Sequence, residues 1–307
     1  MTPSLPLTEG VNAKTVDIDA QPTLEILRRI NAEDKGVADA VAAAIPDLAR
    51  FVDGLVARMQ RGGRLIYTGA GTSGRLAVVD ASEMPPTFSV PPTLVRGLIA
   101  GGREAMFQAV EGAEDNVALG AADIAALDVG ALDSVLGVAA SARTPYVVGT
   151  LREARARGAL TGSLCCSAAP APVHDAAEIA ISLLTGPEVI TGSTRMKAGT
   201  ATKLALNMIS TTAMIRLGKT YGNLMVDLQA SNTKLRDRAR RIVEAVTGLP
   251  AEEAQRLLTA CGNTKTAIVA GLTGCDCEEA QARLSRAGGQ VRRALTGASA
   301  PGPGPHP

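Results

Sequence analysis

Short apolar runs alternate with helical sequence through the middle of the chain, and this alternation constrains the fold more than any other feature. The runs lie at 64–68, 94–100, 134–139, 159–166 and 178–183. Helical sequence fills the gaps between them, for example at 75–82, 102–110 and 144–157. A parallel sheet that is covered by helices on both faces has this order of strand, crossover helix and strand. The sequence therefore predicts an α/β fold whose helices sandwich a parallel sheet.

The sequence on either side of the predicted sheet divides the chain further. Helical segments precede the first strand at 23–31 and 37–60, and two long amphipathic segments follow the last strand at 194–217 and 224–247. Leu249-Pro250 marks a boundary, because three shorter helical segments come after it, at 251–260, 264–272 and 277–295. The predicted organisation is an N-terminal arm at 1–20, a sheet domain at 21–247, a small UBA-like module of three helices at 248–296, and a Gly/Pro-rich, disordered tail at 297–307.

The charge balance excludes several classes of partner. The 307 residues contain 31 Lys and Arg and 30 Asp and Glu, which gives a net charge of +1. A charge this small offers no field that would attract nucleic acid or an anionic membrane. Aromatic residues make up 2% of the chain, too few for a surface that stacks bases. No apolar segment reaches the about 20 residues that span a bilayer. We therefore expect neither nucleic acid nor a membrane as a partner.

The cysteines and histidines argue against a disulfide framework and against a metal site. The five cysteines are scattered, at 165, 166, 261, 275 and 277. Cys275 and Cys277 lack the spacing of a zinc-binding pair, and the chain has two histidines. The N-terminus shows no secretory signal. The sequence predicts reduced thiols, no metal ion and a cytoplasmic protein.

A glycine-rich turn follows the first predicted strand and leads into a helix. Gly69, Gly71 and Gly74 let the backbone turn sharply, so that its N–H groups and the helix N-terminus can hold a phosphate. These glycines also match the G-x-G-x-x-G pattern of dinucleotide-binding folds, which need an acidic residue about 20 positions later. The chain has glycine and arginine there, at 96–97 and 101–103. A nicotinamide-dependent dehydrogenase is therefore the disfavoured alternative.

Hydroxyl side chains occupy this turn and two later loops, at 140–145 and 192–197. Loops at the carboxyl ends of neighbouring parallel strands converge on one crevice, so hydroxyls from the first two loops can bind one anion. The third loop precedes a helix, where its hydroxyls can instead serve as an N-cap. These loops favour a sugar phosphate as the ligand. The candidate residues that would bind it are Gly71, Thr72, Ser73, Ser141, Thr144, Ser193 and Thr194.

Two acidic clusters supply a candidate acid and a candidate base. Glu83 ends the helix that starts at the glycine-rich turn, and Glu114 lies after the next helical stretch. A carboxylate acts as a general acid or base when its surroundings bring its pKa near the working pH. A continuous helix would separate Ser73 from Glu83 by about 15 Å, too far for Glu83 to touch a phosphate at Ser73. Glu83 can instead serve the far end of a bound sugar or reach the site of a neighbouring subunit. Surface charge without a catalytic role is the other interpretation of both glutamates.

Seven segments, in order along nearly the whole chain, form one pattern: TEGVN (8–12), GRLIYTGAGTSGRLAVVDASEMPPTF (63–88), GLIAGG (97–102), AVEGAED (109–115), AASARTPYV (139–147), GPEVITGSTRMKAGTATKLALNM (186–208) and YGNLMVDLQASNTKL (221–235). Together they resemble the N-acetylmuramic acid 6-phosphate etherase family, which belongs to the sugar isomerase (SIS) superfamily. The DASE–PPTF and EGAED elements are far more specific than the glycine-rich turn.

The resemblance implies an SIS domain and a specific reaction. The family cleaves the D-lactyl ether of N-acetylmuramic acid 6-phosphate, giving N-acetylglucosamine 6-phosphate and D-lactate in cell-wall sugar recovery, without metal or nucleotide. The proposed route is elimination of lactate from the open-chain aldehyde, followed by addition of water. By the family motifs, Glu83 matches the proton donor to the departing lactate, and Glu114 matches the second acid/base, acting at C2. The resemblance further implies a homodimer with sites at or near the subunit contact.

One departure and two rival functions stay open at this point. The family commonly has glycine where this chain has Ala142, and a positive φ there would strain alanine by roughly 1 kcal/mol. An SIS aldose–ketose isomerase would share the fold but release no lactate. A non-enzymatic sugar-phosphate sensor, such as the two-domain SIS regulator of glucokinase, would use the same loops for binding alone.

Overall fold

The computed structural model describes residues 7–227 and 233–297 and separates them into two compact units. The first unit is formed by the chain up to residue 82 together with 92–210. The second is formed by 83–91 together with the chain from 211 onward. The domain boundaries that the sequence predicts after residues 20, 247 and 296 remain predictions.

The first unit contains a five-stranded parallel sheet, as predicted. Its strands are β1 (Leu65–Gly69), β2 (Val95–Ile99), β3 (Ser134–Ala139), β4 (Leu160–Cys165) and β5 (Ile179–Ser182), in the spatial order β2-β1-β3-β4-β5. Every residue of β1, β3 and β4 is buried, as in a sheet that helices cover on both faces. The order reverses between β1 and β3, and ligands of such sheets bind outside the carboxyl ends of the strands at this point.

Helices α1 to α8 carry the chain between and around these strands. Their bounds are α1 (Thr23–Asp34), α2 (Val37–Ala43), α3 (Ile45–Met59), α4 (Gly71–Phe88), α5 (Val117–Ala126), α6 (Pro145–Ala156), α7 (Pro172–Asp175) and α8 (Lys197–Arg216). In α3, the buried side chains recur every three or four residues, which places one apolar face against the core: Leu48, Phe51, Val52, Leu55, Val56 and Met59. The predicted helix at 102–110 is a short 3₁₀-helix, Gly102–Met106.

The N-terminal arm is not extended where the structure describes it. It forms two 3₁₀-turns, Leu7–Glu9 and Ile18–Ala20. The Thr15 hydroxyl donates to the backbone oxygen of Val189 at 2.8 Å, and the Asn12 side-chain amide donates to Glu33 at 2.8 Å. These contacts over a long sequence separation hold the arm against the first unit, and no local sequence pattern announces them.

The second unit contains five helices and a short antiparallel hairpin within the described ranges. Its helices after residue 232 are α9 (Thr233–Thr247), α10 (Ala251–Cys261), α11 (Thr264–Thr273), α12 (Cys277–Arg286) and α13 (Val291–Thr296). The predicted helix at 224–247 is wrong at its start, because β7 (Leu224–Met225) pairs with β6 (Thr220–Tyr221). The predicted helix at 277–295 is two helices, because Gly288 and Gly289 adopt φ of 61° and 76° between them.

The prediction that all cysteines are reduced is also wrong. Cys261, at the end of α10, forms a disulfide with Cys277, at the start of α12. Packing brings the Cα atoms of these two helix ends to 5.1 Å, within the range that a disulfide requires. Cys165, Cys166 and Cys275 are free.

None of the helices in the described ranges combines the length and the apolar character that a bilayer crossing needs. Most of the predicted tail, from residue 298, lies outside the described residues.

Candidate active site

The β1–α4 turn has the geometry of an anion-binding helix start. A Cβ on Gly69 would lie 2.8 Å from the backbone nitrogen of Gly74, so β1 and the first turn of α4 approach too closely for any larger residue. Gly71 adopts φ +52° at the first position of α4. Thr72 and Ser73 follow it, both half-buried, in the turn whose N–H groups have no carbonyl partner within the helix.

The β3–α6 loop lies at the neighbouring strand end. Because β1 and β3 pair in parallel, with Gly69 opposite Val138, this loop and the β1–α4 turn leave the sheet at the same edge. Ser141 is half-buried, and Thr144 stands at the N-cap position of α6 without its hydroxyl capping the helix. Ala142 between them is fully buried with φ +59°, the left-handed conformation that the family's glycine would tolerate.

The loop that carries Ser193 and Thr194 also approaches the β1–α4 turn. A Cβ on Gly199, in the first turn of α8, would lie 3.6 Å from the Thr72 methyl group. The backbone oxygen of Thr194 accepts a hydrogen bond from the Gly199 nitrogen at 2.9 Å, and this bond joins the loop to the first turn of α8. The structure therefore brings Thr194 into the neighbourhood of Thr72.

A buried carboxylate, and neither hydroxyl, caps α8. The backbone nitrogens of Lys197 and Ala198 donate to the two oxygens of Glu188 at 3.0 and 2.9 Å. Glu188 is fully buried, so this charge-assisted cap satisfies a helix end that water does not reach. The N-cap interpretation of Ser193 and Thr194 is therefore wrong. Sequence reasoning missed Glu188, because nothing local announces a cap that lies nine residues before the helix.

A buried ion pair fixes the same helix start. The Lys197 ammonium donates to Glu33 in α1 at 2.9 Å, and Lys14 donates to the other oxygen of Glu33 at 3.0 Å. Burial raises the pKa of Glu33, but hydrogen bonds from Lys197, Lys14 and Asn12 outweigh it and lower the pKa to about 2. The N-terminal arm, α1 and α8 thus meet at one ionised carboxylate.

Glu114 lines a cavity next to the glycine-rich turn. It lies in a 3₁₀-turn, Ala113–Asp115, and its side chain is exposed. The cavity has a volume of about 160 Å³ and is also lined by Gly71, Arg75, Gln108 and Glu111. The structure therefore brings this carboxylate to the turn where the sequence predicts a phosphate.

Glu83 is exposed on α4 and belongs to the second compact unit. Asp80, one turn earlier in the helix and in the first unit, is buried. Asp80 accepts hydrogen bonds from the Tyr67 hydroxyl at 3.0 Å, the Asn207 amide at 2.7 Å and the Ser210 hydroxyl at 3.2 Å. Burial, followed by the charge of Asp80, raises the pKa of Tyr67 well above its usual range, so the hydroxyl stays a donor. The sequence singled out Glu83 and missed this network.

These groups together can bind an anion through neutral donors and place a carboxylate beside it. Hydroxyls, backbone N–H groups and a helix start favour a phosphate, and a carboxylate in the adjoining cavity can move a proton on the bound molecule. Within the described ranges no three His, Cys, Asp or Glu side chains cluster as metal ligands would.

Comparison with known proteins identifies the family. Residues 47–155 match the model of the glucokinase regulatory protein N-terminal SIS domain. N-acetylmuramic acid 6-phosphate etherase of Streptomyces avermitilis is 54% identical over 95% of this chain and 94% of its own. The chain belongs to the N-acetylmuramic acid 6-phosphate etherase family. The same enzyme of Cronobacter sakazakii is 57% identical over 82% of this chain and 85% of its own.

Membership of the etherase family makes the protein an enzyme of the carbon–oxygen lyase class. It disfavours an aldose–ketose isomerase and a sensor without activity, even though the SIS model that matches 47–155 comes from a regulatory protein. Among solved structures, a phosphoheptose isomerase from Francisella tularensis aligns with a TM-score of 0.45 at 16% identity, over 62% of this chain and all of its own.

Proposed function

We propose that the protein cleaves the D-lactyl ether of N-acetylmuramic acid 6-phosphate to N-acetylglucosamine 6-phosphate and D-lactate, in the catabolism of cell-wall amino sugars. The cavity that Glu114 shares with the β1–α4 turn, in a chain of the etherase family, carries this proposal. The protein would work in the cytoplasm, where phosphorylated sugars are held.

The 6-phosphate would bind at the start of α4. Gly71, Thr72 and Ser73 would offer backbone N–H groups and hydroxyls there, and Ser141 and Thr144 would add donors from the loop beside it. The short distance between Gly199 and Thr72 supports a further contribution from the loop that carries Ser193 and Thr194. Because the 6-phosphate takes no part in the bond changes at C2 and C3, these donors would bind it equally in the ground state and the transition state.

The reaction would need one base and one acid. In the open-chain sugar the aldehyde acidifies the C2 proton, and Glu114 would remove it. Glu83 would protonate the ether oxygen at C3 as its bond to carbon breaks, which releases lactate and leaves a C2–C3 double bond. Water would then add its oxygen at C3 and a proton at C2, restoring the amino sugar. These proton transfers use no cofactor, so we expect full activity after exhaustive chelation.

Two glutamine variants test the two roles. We expect Glu83→Gln to abolish lactate release while the C2 proton still exchanges with solvent, and Glu114→Gln to suppress both, each with a loss of about 10²–10⁴ in rate. Lactate production and deuterium incorporation at C2 in heavy water measure the two steps. Glu104→Gln is the matched control, an exposed glutamate of the nearby 3₁₀-helix that does not line the cavity.

Each outcome assigns or removes a role. Exchange that survives in Glu114→Gln and disappears in Glu83→Gln would reverse the two roles. Near-normal lactate release from both variants would mean that both glutamates are surface charges without a catalytic role.

Binding of the phosphate is tested separately. Ser73→Ala should raise KM more than it lowers kcat, and unphosphorylated N-acetylmuramic acid should be a very poor substrate.

We also propose a homodimer. Apolar side chains on the arm and α1 support this assembly, because Val11 and Leu24 are 69% and 60% exposed and Val16 and Leu27 are similarly accessible. A contiguous patch of exposed apolar side chains often marks a contact with another protein chain.

A further inference from the structure

Arg75 is the one cationic side chain among the described residues that line the cavity beside Glu114. It is the fifth residue of α4, just past the first turn, and is half-buried. Glu111 and Glu114 line the same cavity, so its charged side chains are one guanidinium and two carboxylates. An anionic group that enters such a cavity needs the cation to offset its repulsion from the carboxylates.

Backbone carbonyls hold the guanidinium of Arg75 against the 106–108 segment. Its Nε donates to the backbone oxygen of Met106 at 3.2 Å, and one Nη donates to that of Gln108 at 3.5 Å. A guanidinium has five N–H donors, and its planar fork matches a carboxylate with two parallel hydrogen bonds. Two of the five donors are used on the 106–108 segment, and the other three have no hydrogen-bond partner among the residues that the structure describes.

The substrate of the proposed function carries two anions, a phosphate at C6 and the carboxylate of the lactyl group. The phosphate has neutral donors at the start of α4 and in the β3–α6 loop. The lactyl group is attached at C3, next to the C2 carbon on which Glu114 would act. Because Arg75 lines the same cavity as Glu114, a sugar whose C2 lies at Glu114 would bring the carboxylate of the group at C3 toward the guanidinium.

We infer that Arg75 binds the lactyl carboxylate and thereby sets the specificity for the acidic ether. This inference rests on the proposed function and deepens it. The hydrogen bonds to Met106 and Gln108 would support this role. They fix the guanidinium in one place, so the side chain loses less conformational entropy when the carboxylate binds.

The test compares two substrates that differ in the carboxylate alone. The second is the 6-phosphate of N-acetylglucosamine with an ethyl group on O3, which is the lactyl ether without its carboxylate. Both substrates give N-acetylglucosamine 6-phosphate, so one assay measures kcat/KM for each. The preference of each protein is the ratio of its kcat/KM values for the two substrates. Dividing the ratio of the wild type by that of a variant removes the intrinsic difference in reactivity between the two leaving groups.

We expect Arg75→Met to lower kcat/KM for the natural substrate about 10- to 100-fold and to change that for the ethyl ether less than about threefold, as for lost hydrogen bonds to a charged group. Arg75→Lys keeps the charge without the fork and should fall between the two. Arg103→Met is the matched control, an exposed arginine of the 3₁₀-helix Gly102–Met106 that does not line the cavity. It should keep the preference of the wild type.

Other outcomes overturn the inference in distinguishable ways. An equal loss on both substrates, in the methionine and lysine variants alike, would mean that Arg75 only positions the 106–108 segment. A loss of preference for phosphorylated over unphosphorylated sugar would make the phosphate its ligand. A wild-type enzyme that releases no lactate would overturn the proposed function itself, whereas an active enzyme with unchanged preference in Arg75→Met would overturn this inference alone.

Discussion

At Glu33, three donors from the N-terminal arm and α8 surround one largely buried carboxylate. Glu33→Gln would leave the ammonium of Lys197, which is only 5% exposed, without its counter-charge, and we expect a loss of about 3 kcal/mol in the free energy of unfolding near neutral pH. The folded pKa of about 2 lies below the ordinary 4.5. The stabilisation is therefore complete above about pH 4.5 and is lost as the pH falls toward 2.

Denaturant unfolding of the wild type and Glu33→Gln between pH 7 and pH 2 measures this dependence. The difference between the two proteins should shrink through that acidic window. A difference that stays constant down to pH 2 would contradict the pairing. Glu25→Gln is the matched control, because its partner Arg29 lies one turn away in α1 and a partly exposed pair of this kind contributes little.

At Ala142, opposing contributions to the free energy of unfolding have similar sizes. Its left-handed backbone costs roughly 1–2 kcal/mol. Glycine would remove that cost but would also lose a buried methyl group, about 0.8 kcal/mol, and gain freedom in the unfolded chain, about 0.4–1 kcal/mol. We expect Ala142→Gly to change the free energy of unfolding by less than about 1 kcal/mol. Ala154→Gly, the same change at a buried position of α6, should cost about 2 kcal/mol. Equal losses at both sites, measured by denaturant unfolding, would mean that Ala142 is not strained.

At the scale of elements, the Cys261–Cys277 disulfide joins α10 to α12 across α11. The bond closes a loop of 16 residues, and such a loop contributes about 3 kcal/mol through the lost freedom of the unfolded chain. We expect Cys261→Ser to lower the free energy of unfolding of the second unit by about 2–3 kcal/mol without reductant. Hydrogen exchange in α10–α12 measures this change locally.

Reductant supplies the control for the disulfide. In its presence the wild type and Cys261→Ser should become equal in stability, because neither protein then carries the bond. Cys275→Ser removes a free thiol of the same unit and should change the stability little in either condition. A wild type that is equally stable with and without reductant would show that the bond contributes nothing.

At the scale of the whole molecule, the proposed dimer depends on apolar side chains of the first unit. Leu24 and Leu27 lie three residues apart in α1 and therefore share one face of the helix. We expect the double substitution Leu24→Glu and Leu27→Glu to convert the dimer to a monomer, because two carboxylates would be buried at the contact. Light scattering after size-exclusion chromatography measures the mass. Leu272→Glu, an exposed leucine of the second unit, is the control and should leave the mass unchanged. A double variant that stays dimeric would exclude this face as the contact.

The sequence by itself determined the sheet, the helix that starts at the glycine-rich turn, and the family. The bounds of each strand lie within about one residue of a predicted apolar run, because strands that helices cover on both faces are mostly apolar. The turn at 69–74 was equally legible, because its glycines are required locally by a positive φ at Gly71 and by the close contact between Gly69 and Gly74. The roles of the residues around that turn stay predictions.

The tertiary structure decided what depends on residues far apart in the chain. Glu188 caps α8 from a separate loop, and Glu33 binds Lys14 of the arm and Lys197 of α8. The backbone carbonyls of Met106 and Gln108 accept hydrogen bonds from Arg75. The disulfide depends in the same way on two helix ends that packing brings together. Apolar periodicity and turn chemistry are properties of neighbouring residues, so a sequence displays them directly. A partner for a buried charge or a thiol is chosen by the packing of whole elements, and it exists only once the chain has folded.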